Sequence, residues 1–135
     1  MYLFLDTISD PTYICLFDGS RNIIDHVGWI GKYQEFDRLV DEIDQLAIRN
    51  NISYGELSGI VTIVWPGGFT GTRINTLVVN SIQYAFDIPL FPITVWDFFS
   101  LQHAQLPWVT GITKKEVLLW ETSDSSVYSS ALIAD

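Results

Sequence analysis

The stretch GIVTIVWPGGFTGTRI, residues 59–74, contains the transition on which the predicted fold depends. Its first half, Gly59–Trp65, is a continuous apolar run, which is typical of a strand in the buried middle of a sheet. A Pro-Gly-Gly turn follows, and a helix is predicted over residues 71–86. Because a strand, a glycine loop and a helix in this order form the layout of a phosphate-binding loop, this loop is the first candidate site.

The glycine loop departs from both common nucleotide-binding patterns. A Walker A loop needs G-x-x-x-x-G-K-[ST], whereas here Gly67 is followed by Gly71 and no lysine. A dinucleotide fingerprint needs G-x-G-x-x-G at the first strand-to-helix turn, and this G-G-x-x-G stands late in the chain. The favoured interpretation is a tight turn without a ligand, in which glycines let the strand pass into the helix.

The rest of the chain predicts an α/β fold. Three β-forming segments joined by short turns, residues 2–5, 12–18 and 22–30, predict an antiparallel meander. An amphipathic helix is predicted within residues 33–51, and a strand over residues 88–94. The order β-β-β-α-β-α-β predicts a mixed five-stranded sheet with helices packed on it. A short strand pair over residues 116–121 and 126–134 completes the prediction.

Composition limits the function classes. The chain has 135 residues, a formal net charge of −9 and only seven basic residues, so tight direct binding of a nucleic acid is not expected. Cys15 is the one cysteine, which excludes an internal disulfide and favours a reducing compartment. No apolar stretch approaches the roughly 20 residues of a membrane helix, and no signal peptide is evident. We therefore expect a cytoplasmic protein without a membrane partner.

Other candidate chemistry is weak. The turn that begins at Asp6, with hydroxyls at Thr7 and Ser9, offers groups for a metal or phosphate, although Asx and hydroxyl turns explain it without a ligand. His26 and His103 are the only histidines and have no metal-ligand spacing. A Ser-His-Asp triad stays open, with no nucleophile motif to support it. Cys15 is predicted to be a small core residue.

The second predicted helix carries more apolar surface than one buried face needs. From Thr70 to Phe86 its only charged residue is Arg73. Its apolar side chains span roughly 220° of the circumference, whereas a surface helix normally shows a stripe little wider than about 100°. The surplus is expected to face either more of this chain or another protein.

These elements together resemble the TsaB (YeaZ-like) family of bacterial tRNA threonylcarbamoyladenosine biosynthesis proteins. The resemblance is carried by LFLDTISDPTYICLFD, residues 3–18, and by the region of residues 59–101. The family's loop G-P-G-S-F-T-G-[LV]-R-I corresponds to residues 65–74, with the motif positions Pro66, Gly67, Gly68, Phe69, Thr70, Gly71 and Arg73. The match predicts a TsaB-like N-terminal lobe over residues 1–105 and a C-terminal extension over residues 106–135 as a remnant of the family's second domain.

The resemblance implies a single actin-like/hexokinase-like (ASKHA) lobe that is not itself a catalyst and needs no cofactor or metal. Family members pair, through the two helices of this lobe, with the catalytic subunit TsaD, which transfers threonylcarbamoyl to the adenosine beside the tRNA anticodon. The ATPase TsaE is a possible further partner. The predicted interface comprises Phe36, Leu39, Val40, Ile43, Arg73, Ile74, Leu77, Val78, Ser81 and Ile82.

The chain also departs from the family. Glu121-Thr122-Ser123 stands where the family has a basic turn, and GWIGKYQEF, residues 28–36, replaces an Arg-His segment. Two alternatives therefore stay open. One is a small ATP-binding phosphotransferase that uses Asp6 as its metal-side carboxylate, and the other is a stand-alone homodimer that uses the same helices.

Overall fold

A computed structural model describes residues 1–9, 11–30, 35–65, 67–95, 97–98, 108–111, 116–120 and 128–132. Two helices and five strands form its first part: β1 (Tyr2–Asp6), β2 (Thr12–Phe17), β3 (Ile23–Trp29), α1 (Glu35–Arg49), β4 (Gly59–Trp65), α2 (Phe69–Phe86) and β5 (Leu90–Thr94). A single 3-10 turn, Tyr54–Glu56, lies between α1 and β4. The predicted order β-β-β-α-β-α-β is confirmed.

The five strands form one mixed sheet in the order β3-β2-β1-β4-β5. β1, β2 and β3 pair antiparallel, which confirms the predicted meander. β4 pairs parallel with both β1 and β5. Pro92 lies on β5, the last strand of the sheet, where a residue without a backbone N–H group is tolerated.

The core lies between one face of this sheet and the two helices. Leu3 and Leu5, two positions apart on β1, contribute their side chains to this core, and so does Ile60 on β4. The predicted apolar stripe of α1 supplies Leu39 and Ile43, which are buried, together with Leu46. Burial of such a side chain contributes roughly 1.5–3 kcal/mol, so the packing of α1 onto the sheet is a main source of stability.

The helix ends show how local chemistry sets the element bounds. α2 begins at Phe69, two residues before the predicted start, because Gly68 serves as its N-cap. It ends at Phe86, and Asp87 directly after it adopts the left-handed conformation with φ of 53°. Asn51, after α1, also has a positive φ of 51°, which is a common way for a helix to end.

A second sheet comes from the end of the chain. It contains β6 (Trp108–Gly111), β7 (Glu116–Trp120) and β8 (Tyr128–Leu132), all antiparallel, in the order β6-β7-β8. The predicted strand pair corresponds to β7 and β8, but β6 was missing from it, so the prediction of two strands is corrected to three. Within the described part of the chain, no helix is long and apolar enough to cross a membrane.

Candidate functional site

The glycine loop packs directly against the turn between β1 and β2. The Thr7 hydroxyl donates a hydrogen bond to the Gly71 carbonyl oxygen over 3.0 Å. A Cβ atom on residue 71 would lie 2.4 Å from the Thr7 carbonyl oxygen, which is closer than real Cβ contacts come. Because none of the described glycines has a positive φ, close approach and not backbone conformation explains the glycine here.

The other two glycines of the loop, Gly67 and Gly68, have different surroundings. A Cβ atom on Gly67 would lie 1.8 Å from Cγ2 of Ile8, so this residue too is held against the β1–β2 turn. A Cβ atom on Gly68 would meet nothing within 4 Å. Pro66 lies outside the described residues. The loop is thus close-packed on one side, as expected of a structural turn.

The carboxylate of Asp6 is engaged by the turn that follows it. Its Oδ1 accepts hydrogen bonds from the backbone N–H groups of Ile8 (3.0 Å) and Ser9 (2.9 Å). The residue is buried. This is the Asx turn that the sequence suggested as the explanation without a ligand. Among the residues that the structure describes, no group of three or more His, Cys, Asp and Glu side chains could hold a metal ion.

A buried polar link fixes α2 to the sheet, and sequence reasoning missed it. Asn75 is only 1% exposed. Its Nδ2 donates to the Ile63 carbonyl oxygen over 2.6 Å, and its Oδ1 accepts from the Thr62 hydroxyl over 2.8 Å. An amide inside an apolar helix was the available signal, since a buried amide needs partners.

The two sides of α2 have different surroundings. Val78 and Val79 are buried against the core, whereas Leu77 is 57% exposed. Tyr84 and Phe69 are also exposed, and the Arg73 guanidinium lies 3.8 Å from the centroid of the Phe69 ring. The apolar surplus expected from the sequence is therefore present on the outward side.

A groove of about 150 Å³ lies between α1, α2 and the 3-10 turn. We call it the α1–α2 groove, and it is lined by Val40, Ile43, Tyr54, Leu77, Val78, Ser81 and Ile82. Six of the ten residues of the predicted interface are among them. Ile43 and Val78 are buried and contribute to its floor, while Leu77 and Ser81 are exposed.

The other four predicted interface residues lie elsewhere. Leu39 is fully buried in the core, which removes it from the predicted surface because it faces the sheet. Ile74 is half-buried against the core, and Arg73 is exposed above Phe69. The side chain of Phe36 lies outside the described residues.

A comparison with known proteins finds similarity to TsaB, the family that the loop motif resembles. No protein-family model matches the chain. The tRNA threonylcarbamoyladenosine biosynthesis protein TsaB of Haemophilus influenzae is 22% identical over 93 residues, which are 68% of this chain and 38% of that protein. The chain thus spans well under half the length of the curated relative that it matches.

Two solved structures share the fold. YeaZ from Pseudomonas aeruginosa has a TM-score of 0.71 and 15% identity over 96% of this chain and 65% of that one. A structure described as an uncharacterized protein with similarity to peptidase YeaZ from the same organism has a TM-score of 0.77, again at 15% identity, over 97% and 66%. The chain is similar in sequence to TsaB over these 93 residues, and it shares its fold with YeaZ.

Tyr54 and Cys15 are among the groups whose pKa values are shifted. Burial, with a hydrogen bond from its hydroxyl to Asp44, raises the pKa of Tyr54, whose ring stacks on Phe86 at 5.1 Å. Tyr54 therefore stays neutral at the edge of the α1–α2 groove. Burial also raises the pKa of the Cys15 thiol to about 11, which agrees with its predicted place in the core.

Proposed function

We propose that this TsaB-like chain is a non-catalytic partner subunit in tRNA threonylcarbamoyladenosine biosynthesis. The similarity to the tRNA threonylcarbamoyladenosine biosynthesis protein TsaB supports this pathway. That relative is longer than this chain, so its whole activity enters here as part of the proposal. We further propose that the chain works in the cytoplasm and needs no cofactor of its own.

The observation that carries the proposal is the apolar α1–α2 groove. Leu77 and Ile82 line it from α2, and Val40 lines it from α1. Within the described residues no other element covers Leu77, which is 57% exposed. A groove between two helices suits the apolar face of a further helix, because side chains can enter between the two ridges.

The partner that we propose is the TsaD-like catalytic subunit implied by the family resemblance. TsaD would bind through α1 and α2, and TsaE is a possible third component. A second copy of this chain is the competing occupant, since one groove can serve either. We favour the heteromeric pairing, because self-association would bring together two chains that each carry a net charge of −9.

The phosphotransferase alternative receives no support from the described residues. It requires the Asp6 carboxylate to serve a metal, whereas Oδ1 of Asp6 already accepts two backbone hydrogen bonds and the residue is buried. The loop beside it is packed against Thr7 and Ile8 at Gly71 and Gly67.

The test is a titration of the chain with the TsaD-like subunit of the same source, followed by calorimetry and size-exclusion chromatography. A heteromeric complex is expected, and the Leu77→Glu variant should bind at least about tenfold more weakly because a carboxylate would be buried unpaired. Ile23→Glu is the matched control, since Ile23 is 60% exposed on β3, away from the groove. Failure of the wild-type chain to bind, or equal binding by Leu77→Glu, would contradict the proposal.

A further inference from the structure

One rim of the α1–α2 groove carries a row of carboxylates. Asp37, Asp41 and Asp44 are exposed and stand four and three positions apart on α1, so they form one line along the helix. The Tyr54 hydroxyl donates to Asp44, and Tyr54 itself lines the groove, which places the row beside it. We call these three residues the acidic row.

The cations of α1 do not neutralise this row. Arg38 is paired with Glu42 at 3.4 Å and lies over the Trp29 ring at 4.9 Å. Arg49 is paired with Asp25 at 3.1 Å. Neither Asp37 nor Asp41 forms an ion pair with any residue that the structure describes.

The opposite wall of the groove is almost uncharged. Beyond Leu77 and Ser81, the outward surface of α2 is formed by Thr72, Thr76, Asn80 and Tyr84, with Arg73 as its single cation. The Arg73 guanidinium is already in contact with the face of Phe69. The surface therefore combines an apolar groove, one neutral wall and one acidic rim.

We propose that the α1–α2 groove binds an amphipathic helix of another protein, whose apolar residues enter the groove and whose Lys or Arg residues lie along the acidic row. This inference rests on the proposed function and specifies the chemistry of the partner. A helix-in-groove contact gains affinity from its apolar residues, and complementary charge sets the choice of partner and the association rate.

A second copy of the chain fits this surface poorly. In a two-fold dimer the same patch meets itself, so each copy brings three carboxylates and one guanidinium. Two carboxylates per copy would then lack a cationic partner across the interface. The net charge of −9 on each chain adds further repulsion. Charge therefore favours a basic partner over self-association.

The experiment uses the full chain and two synthetic peptides of about 20 residues, which is about 30 Å of helix. Both peptides carry the same leucine stripe, one flanked by Lys and Arg and the other by Glu, and fluorescence anisotropy reports their binding. The basic peptide should bind at least about tenfold more tightly than the acidic one, and its affinity should fall as salt is raised from about 0.05 to 0.3 M.

Two variants that change the net charge by the same amount test whether the acidic row itself is responsible for the preference for the basic peptide. Asp41→Asn should weaken binding of the basic peptide severalfold, while Ser20→Lys, on the exposed turn between β2 and β3, should leave it unchanged. Equal affinity for the two peptides, no binding of either, equal effects of the two variants, or a homodimer at micromolar concentration would overturn the inference.

The two proposals fail in different ways. If the TsaD-like subunit binds the chain but Asp41→Asn leaves both that complex and the peptide preference unaffected, only the basic-helix inference is overturned. If the basic peptide is preferred and the TsaD-like subunit does not bind, the groove chemistry stands and the proposed function is overturned.

Discussion

The Thr7 hydroxyl and the Gly71 carbonyl oxygen are joined by a 3.0 Å hydrogen bond, although 64 positions separate the two residues. This bond fastens the first turn of α2 to the end of β1. The same contact leaves no room for a side chain, since a Cβ atom on residue 71 would lie 2.4 Å from the Thr7 carbonyl oxygen.

Gly71→Ala is therefore expected to destabilise the fold. The added methyl group must push two backbone segments apart, which costs about 1–3 kcal/mol. Gly55→Ala is the matched control, because its Cβ atom would meet nothing within 4 Å. Urea unfolding measures both free energies, and a Gly71→Ala variant as stable as the wild type would refute the close approach.

Asn75→Ala should lower stability by roughly 1–3 kcal/mol, because it leaves the buried Thr62 hydroxyl and Ile63 carbonyl without their amide partner. Asn80→Ala, at an exposed position of the same helix, should change the free energy of unfolding by less than about 0.5 kcal/mol. Thermal melts distinguish the two. If both variants melt alike, the polar link between α2 and β4 contributes nothing.

Leu77→Glu and Val78→Glu are neighbours with opposite expected outcomes. Val78 is 5% exposed, so its replacement buries an unpaired carboxylate and should unfold the chain or cost about 3–5 kcal/mol. Leu77→Glu should keep the wild-type circular dichroism spectrum and melting temperature within a few degrees. Unfolding by Leu77→Glu would place this residue in the core instead of on the outward side.

The sheet and helices were predictable because their patterns are long and periodic. The stripe of α1, with Leu39 and Ile43, repeats over four turns and specifies its buried face without further information. β6 was not predicted, because four residues contain too little alternation and their strand conformation depends on pairing with β7.

The site could be predicted only in outline. The surplus apolar surface of α2 follows from composition, but which of Leu77 and Val78 faces outward depends on how the helix sits on β4. That rotation is fixed in part by Asn75, through its bonds to Thr62 and Ile63. A contact between two side chains distant in sequence leaves no periodic signal.

The stability of the chain should depend on pH through Asp25. The hydrogen bond from Arg49, and then that from Asn50, hold the pKa of the Asp25 carboxyl below its ordinary value. A depressed pKa stabilises the fold above the ordinary value of about 3.9, and this contribution is lost as pH falls through the folded pKa.

Denaturation at several pH values should show this sign. The difference in free energy of unfolding between wild type and Asp25→Asn should be constant from about pH 8 to 5 and shrink below about pH 4. Asp41→Asn, which removes an exposed carboxylate without an ion pair to a described residue, should stay within about 0.5 kcal/mol of wild type at pH 7. A difference that grows in acid would contradict the assignment.

The position of β1 in the middle of the sheet predicts an order of folding. A short turn connects β1 to β2, whereas β4 pairs with β1 from much farther along the chain. The backbone N–H of Ser58, just before β4, donates to the carbonyl oxygen of Met1, and 57 positions separate these two residues. Distant pairings carry a larger loop-closure cost, so the antiparallel strands are expected to form early and the parallel ones late.

Pulse-labelled hydrogen exchange should protect amides of β2 and β3 before those of β4 and β5, and simultaneous protection would exclude this order. The surface that we propose for the partner is then assembled last, since α2 reaches its place only with β4.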